Sequence, residues 1–255
     1  MKTLIIALAA VVSLVVSGLV LAQNMTATVN NRGATNTASS ALIKIERNWD
    51  CQKGNVVTRM QGDSLGTAIG PNIILTHNHF AGALGALPNE VMTFTDTAGK
   101  TATFPVANLV LVPIDKGTLL IYLPADVALN SAPAGDPSSV EQLTSGDWLT
   151  VDYWDDAANR FAQQNFQIIQ IEQGVATVAD PQRRINPGDS GGGVYFDGKV
   201  IGNNWSMNAK DGKSVGTFNV ALLPTSVMDL MQPATTGAAN EGLPTTATGE
   251  EGIVR

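Results

Sequence analysis

The residues best suited to covalent chemistry lie in the glycine-rich segment 186–193, whose sequence is NPGDSGGG. Glycine reaches backbone conformations that a side chain forbids, so that consecutive amides can point the same way and bind an anion. The amides of Gly188 and Ser190 are therefore candidate donors to an oxyanion, with the Ser190 hydroxyl as the nucleophile. Taken alone, such a segment is more often a turn between strands than a catalytic loop.

Both histidines of the chain, His77 and His79, lie in the single segment 75–79, LTHNH. A histidine that activates Ser190 as a general base must therefore come from this segment. Alternate residues of a strand face the same side, so the pair is also compatible with a metal site or with two surface histidines. There is no third histidine, and the single cysteine, Cys51, lies at no ligand spacing. We expect neither a metal nor an organic cofactor.

Short segments with alternating apolar residues predict the elements that position these groups. They include 42–46, 91–94, 101–104, 148–153 and 166–171. Asp197-Gly198, between two further strand-like segments, is typical of a two-residue hairpin turn. Many short strands at regular spacing predict an all-β fold, either a sandwich or one or two antiparallel barrels. The one helix expected is 225–231, which follows Pro224.

The order of the two motifs resembles that of the chymotrypsin-like (trypsin-fold) serine proteases. In that family a Leu-Thr-Ala-Ala-His segment carries the general base, and a later Gly-Asp-Ser-Gly-Gly segment carries the nucleophile. Here His77 and Asn78 replace the two alanines, so His79 takes the place of the base and His77 is the alternative. The resemblance implies two antiparallel six-stranded β-barrels, at 41–132 and 133–231, with the site between them.

The resemblance also calls for an aspartate at the start of an apolar strand, where it orients the histidine. Asp115 opens the long apolar run 118–123, whereas Asp126 matches the local family pattern better but is followed within seven residues by Pro133. We favour Asp115 and keep Asp126 as the alternative.

Counting back six residues from Ser190 places Arg184 at the base of the pocket for the substrate side chain. The segment Asn204-Trp205-Ser206 is its expected wall. An arginine there favours acidic side chains and disfavours cleavage after Lys or Arg. If Arg184 points elsewhere, a small apolar pocket is expected. We also expect the buried Asp189 to need a cation, with Arg183 or Arg184 nearest.

Both ends of the chain are expected to lie outside the folded body. Residues 1–22 read as a secretory signal peptide, 23–40 as a flexible leader and 232–255 as a disordered tail. We therefore expect a secreted protein, held at a membrane only if the signal segment stays uncleaved.

The net charge of -7 disfavours nucleic acid as a partner. Together these features predict a secreted serine endopeptidase acting on polypeptides. The alternative is a catalytically silent trypsin-fold module that binds a partner at the cell surface.

Overall fold

The structure is a computed structural model that describes residues 38–80, 88–132, 137–211, 213–225 and 227. The predicted signal peptide, most of the leader and the predicted tail lie outside these residues. So does most of the predicted helix 225–231, of which only Thr225 and Val227 are described. No helix in the described ranges is long and apolar enough to cross a membrane.

The N-terminal half forms one antiparallel sheet in the order β5-β4-β1-β2-β3-β7-β6. Its seven strands are β1 (Leu42–Lys53), β2 (Val56–Gly70), β3 (Ile73–Thr76), β4 (Val91–Asp96), β5 (Thr101–Pro105), β6 (Val110–Pro113) and β7 (Leu119–Tyr122). Two 3-10 turns, Asn78–Phe80 and Val106–Asn108, follow β3 and β5. The sheet curls into a half-barrel.

The C-terminal half is a closed six-stranded barrel in the order β10-β13-β12-β11-β8-β9. A one-turn helix, α1 (Pro137–Glu141), precedes it. The strands are β8 (Trp148–Asp155), β9 (Arg160–Glu172), β10 (Val175–Ala179), β11 (Gly193–Phe196), β12 (Lys199–Lys210) and β13 (Lys213–Leu222).

The predicted fold class, all-β with two barrel-like halves, is confirmed, although the first sheet has seven strands where six were expected. The predicted hairpin between β11 and β12 turns at Asp197 and Gly198, which have φ values of 50° and 76°. Positive φ at both positions gives the turn a twist that matches the flanking strands. Helix α1 was not predicted, because its five residues, PSSVE, are too few to show a helical apolar period.

The two halves share apolar contacts where β3 and β7 meet the C-terminal barrel. Leu75 of β3 and Leu120 of β7 belong to the same buried cluster as barrel residues such as Phe166 and Phe218. The rings of these two phenylalanines meet edge to face, with centroids 5.1 Å apart. The turn that follows β3 is thereby held against the C-terminal barrel.

Candidate active site

The glycine-rich loop 186–192 leaves two backbone amides without a protein acceptor among the described residues, and they are those of Gly188 and Ser190. The neighbouring amides are all satisfied: Asp189 N donates to Asn186 O at 3.1 Å, Gly191 N to Asn204 O at 2.6 Å and Gly192 N to Asp189 O at 3.1 Å. The φ of +104° at Gly188 is one that side-chain-bearing residues rarely adopt. The two free amides are the pair that the sequence predicted as oxyanion donors.

Ser190 is held by its backbone and has a loosely bound hydroxyl. Its carbonyl oxygen accepts a 2.9 Å bond from Leu65 N on β2 of the other half. The residue is partly exposed, and the hydrogen-bond partner of its Oγ among the described residues is Trp205 O, at 3.4 Å. A hydrogen bond this long is weak, so the hydroxyl can rotate toward another acceptor.

Gly191 brings the serine loop into direct contact with the N-terminal sheet. A Cβ at this position would lie 2.0 Å from Leu65 O and 2.3 Å from Thr76 Oγ1, and its φ of +90° is itself unfavourable for other residues. Thr76 donates its hydroxyl to Leu65 O at 2.7 Å. The end of β3 and the serine loop therefore meet at one point.

The two histidines differ sharply in their surroundings. His77 is buried, with 3% of its surface exposed, whereas His79 is exposed. Burial, and then the neighbouring His79, lower the pKa of His77 to about 3, and burial also lowers the pKa of His79. His77 Nδ1 accepts the His79 amide at 3.1 Å, and the ring centroids are 4.5 Å apart. His77 thus shapes the turn that presents His79.

In the described ranges, no group of three or more His, Cys, Asp or Glu side chains is placed to hold a metal ion. The strand ends at Thr76, before the pair, so the two rings meet across a 3-10 turn rather than along one strand face.

The two candidate acids lie at opposite ends of β3. Asp115 precedes β7, whose first residue pairs with Thr76 at the histidine end, and its carbonyl oxygen accepts a hydrogen bond from Asn78 Nδ2. Asp126 lies in loop 124–130, which is bonded to the turn before β3 through Leu129 N and Pro71 O at 2.7 Å. Four strand residues, roughly 13 Å, separate the two ends.

The Asp115 carboxylate itself does not contact a histidine in the described part of the chain. The residue is exposed, and its Oδ1 accepts the Gly117 amide at 2.7 Å. A Cβ on Gly117 would lie 2.7 Å from Ala221 Cβ and 3.3 Å from the Trp205 ring. The tight packing of Gly117 fixes the backbone that carries the acid, while the carboxylate points to its own loop.

The residues expected to form one substrate pocket are divided between two cavities. Trp205 lines a cavity of about 390 Å³ together with Asp115 and Gly117. Arg184 lines another, of about 530 Å³, and its side chain lies near Gln182 Oε1 at 3.2 Å and Asp155 Oδ2 at 3.8 Å. The pocket with Arg184 beneath Trp205 is therefore not seen.

Two of the expected wall residues have other contacts. Asn204 is buried and donates its Nδ2 to Asp189 O at 3.1 Å, so it supports the serine loop from behind. Ser206 Oγ accepts Asn219 Nδ2 from β13 at 3.1 Å. Side chains committed to the barrel in this way are not available to line a pocket.

The expectation that Arg183 or Arg184 neutralises Asp189 is wrong. The Asp189 carboxylate instead accepts two backbone amides, Trp154 N at 2.7 Å and Asn186 N at 2.8 Å. Burial raises its pKa to about 7, although those two bonds lower it. Sequence spacing gave no sign of this arrangement, because Trp154 comes from β8, 35 residues away.

A second buried acid, Asp180, explains the position of Arg184. Its carboxylate accepts Arg184 N at 3.0 Å and Ile185 N at 2.9 Å, which fixes the bend before the serine loop. This bend directs the arginine side chain away from Ser190 and toward Asp155.

No protein-family model and no curated protein matches this sequence. Among solved structures, similar ones include the HtrA-type protease AlgW with a decapeptide, at 18% identity and a TM-score of 0.52, with 76% of this chain and 64% of that chain covered. This chain thus spans just under two thirds of that protease. An inactivated protease paralogue of the scabies mite matches at 13% identity and a TM-score of 0.54, covering 78% of this chain and 97% of that one.

A third similar structure, HL collagenase, has 12% identity and a TM-score of 0.57 and is matched over 78% of this chain and 96% of its own. At these identities the likeness concerns the fold, which active and inactivated proteins share. The chain therefore has the chymotrypsin-like (trypsin-type) serine protease fold.

Proposed function

We propose that the protein is a secreted serine endopeptidase that hydrolyses peptide bonds through an acyl-enzyme intermediate. The observation that carries this proposal is that the Gly188 and Ser190 amides lack a protein acceptor among the described residues, beside the loosely held hydroxyl of Ser190. Backbone donors fixed toward a developing oxyanion supply a large part of the catalysis of acyl transfer.

In the proposed reaction, Ser190 Oγ attacks the carbonyl carbon of the scissile bond while His79 accepts the hydroxyl proton. The oxygen of the tetrahedral intermediate binds the amides of Gly188 and Ser190. His79 then returns the proton to the leaving amine, and a water molecule repeats the sequence to release the acyl group from Ser190. The lowered pKa of His79 keeps its ring neutral and able to accept a proton at neutral pH.

Asp115 is the proposed orienting acid, because the Asn78 side chain joins its backbone to the residue before His79. For this role its carboxylate must turn from the Gly117 amide toward the imidazole. Because Asp115 is exposed, this turn requires no repacking of the core.

The same observation on Asp115 favours a second candidate function, a trypsin-fold module that binds a partner without cleaving it. In that case the carboxylate stays on Gly117 and His79 lacks an orienting acid. One of the similar structures is an inactivated protease paralogue, that of the scabies mite.

Turnover separates the two functions. The purified protein without residues 1–22 is incubated with an unbiased peptide library, and Ser190→Ala is compared with Ser131→Ala, which changes an exposed loop serine. An endopeptidase loses several orders of magnitude in kcat/KM with Ser190→Ala and nothing with Ser131→Ala. Equal activity of both variants would overturn the proposal, and an inactive wild-type protein would favour the binding module.

Secretion is part of the proposal and rests on the sequence of residues 1–22 alone. N-terminal sequencing of protein from the medium of an expressing bacterium tests it. A mature protein that begins at Gln23 is expected, whereas full-length protein retained in the cell would contradict secretion.

A further inference from the structure

A cavity of about 260 Å³ adjoins the serine loop and has no role in the mechanism above. It is lined by Gly188 and Asp189 of the loop, by β1 and β2 through residues such as Lys44 and Ser64, and by the end of β8 and the start of β9. The cavity therefore bridges the two halves of the molecule beside a proposed oxyanion donor.

Three carboxyl groups line this cavity. Asp63 and Asp156 are exposed at the surface, and Asp189 is buried, with 2% of its surface accessible. Asp189 has only backbone amides as partners, and no ion pair involves Asp63 or Asp156 within the described ranges. The negative charge on the walls therefore comes from Asp63 and Asp156, because burial raises the pKa of Asp189 to about 7.

Two of the basic side chains near the cavity, Lys44 and Arg184, already face other acids. Lys44, on the cavity wall, has its Nζ 3.4 Å from Glu46 Oε1 on the same strand. Arg183 and Arg184 line the adjacent cavity beyond Asp156, where Arg184 lies 3.8 Å from Asp155. An acidic ligand would therefore meet mainly carboxylates, and a basic ligand is favoured.

One wall of the cavity is aromatic. Trp154 and Phe161 pack edge to face, with ring centroids 5.0 Å apart and an interplanar angle of 82°. The face of an indole ring attracts an ammonium or a guanidinium group, and the alkyl stem of Lys or Arg packs against the same surface.

An unpaired hydroxyl also lies on the wall of the cavity. Ser64 is 1% exposed, and its Oγ has no hydrogen-bond partner in the described part of the chain. A buried hydroxyl without a partner carries a cost that a donor from a ligand would relieve. Because the atom itself is buried, an N–H group in the cavity reaches it only if this part of the wall moves.

We propose that this cavity binds a Lys or Arg side chain of the polypeptide substrate, on the leaving-group side of the cleaved bond. The inference rests on the proposed function. Ser190 Oγ faces Trp205 O and the cavity that Trp205 lines, which is the side expected for the acyl half of the substrate. The present cavity meets the loop at Gly188 instead, so the other half of the peptide reaches it.

Two independent readouts test the assignment. The first is the cleavage profile of wild-type protein on an unbiased peptide library. Lys and Arg are expected to be enriched at the first or second position after the cut, and the double variant Asp63→Asn/Asp156→Asn is expected to lose about 3- to 10-fold of that preference. Asp197→Asn removes an exposed charge in the β11–β12 turn and is the matched control.

The second readout needs no turnover. Binding of N-butylguanidinium and of its neutral analogue N-butylurea to Ser190→Ala protein is followed by saturation-transfer NMR. The guanidinium is expected to bind more tightly than the urea, and the difference is expected to shrink in the double variant but not in Asp197→Asn. If the wild-type protein cleaves no peptide, the proposed function fails, but this experiment still shows whether the cavity binds a basic side chain.

Either of two results would overturn the inference. The first is a library profile that shows no Lys or Arg preference after the cut, or a preference that the double variant keeps in full. The other is equal binding of the guanidinium and the urea.

Discussion

Replacing Asp189 by asparagine tests how the serine loop is held in place. The carboxyl group is buried beneath the loop and accepts Trp154 N and Asn186 N. Burial is the main cause that raises its pKa from the ordinary 3.8 to about 7, and the nearby carboxylates of Asp156 and Asp180 add to the rise. A rise of this size corresponds to about 4 kcal/mol of unfolding free energy.

The sign of the effect follows from which state binds more protons. Between about pH 4 and pH 7 the folded protein keeps a proton on Asp189 that the unfolded chain has lost. The contribution of this group to stability is therefore complete below pH 3.8 and is lost as the pH rises through about 7. Asparagine does not titrate, so the Asp189→Asn variant lacks this dependence.

The variant also loses a hydrogen bond. Its amide offers one acceptor oxygen, so that either Trp154 N or Asn186 N is left facing an NH₂ group, at a cost of about 1 to 3 kcal/mol. Near pH 4 the variant is thus expected to be less stable than the wild-type protein by about 1 to 3 kcal/mol. At pH 8.5 the order is expected to reverse, because the ionised carboxylate of the wild type carries a burial penalty of about 4 kcal/mol that asparagine lacks.

Urea unfolding followed by tryptophan fluorescence from pH 4.5 to pH 8.5 measures this difference. Asp197→Asn, in the exposed β11–β12 turn, is the control and should run parallel to the wild type. Asp152, whose pKa is raised to about 6 mainly by burial, contributes equally to all three proteins. Parallel curves for the wild type and Asp189→Asn would refute the account of the buried acid.

Three further predictions follow from the site. Asp115→Asn should lower kcat/KM on a peptide substrate by roughly 10⁴-fold, because the amide favours the wrong imidazole tautomer. Asp126→Asn, at the far end of β3, should change kcat/KM little. The reverse order would make Asp126 the orienting acid. Gly191→Ala should lower the free energy of unfolding in urea by about 3 kcal/mol or more, because the Cβ of the alanine would lie 2.0 Å from Leu65 O. An unchanged urea midpoint of unfolding would contradict the close contact. Protein with an extended, blocked N-terminus should be fully active, because the Asp189 carboxyl group accepts internal backbone amides rather than a terminal amine. An inactive protein that becomes active when the N-terminal extension is removed would contradict this.

The sequence predicted the fold class, and it singled out the glycine-rich loop with its two open amides, because both depend on local patterns. Alternating apolar residues give strands, and the glycines at 188 and 191 permit the positive φ values that the loop adopts. The choice of His79 over His77 came from motif position, and the structure adds a reason, since His77 is buried and bonded to the turn.

What the sequence could not predict depends on contacts between distant segments. The partners of Asp189 come from β8 and from its own loop, and no spacing rule connects residues 154 and 189. Arg184 was placed by counting along the chain, but the buried Asp180 turns the backbone there and sends the side chain elsewhere. The sequence favoured Asp115 over Asp126 from local context alone, whereas only the pairing of β3 with β7 shows which end of β3 each acid is near.

The most direct test of the central claim is covalent labelling of the nucleophile. Purified protein is treated with a fluorophosphonate probe, and the adduct is located by peptide mass spectrometry. The account predicts one adduct per chain, on Ser190, formed far more slowly in His79→Ala and absent in Ser190→Ala. A wild-type protein that stays unlabelled, or one labelled equally well without His79, would contradict the claim that Ser190 is an activated nucleophile.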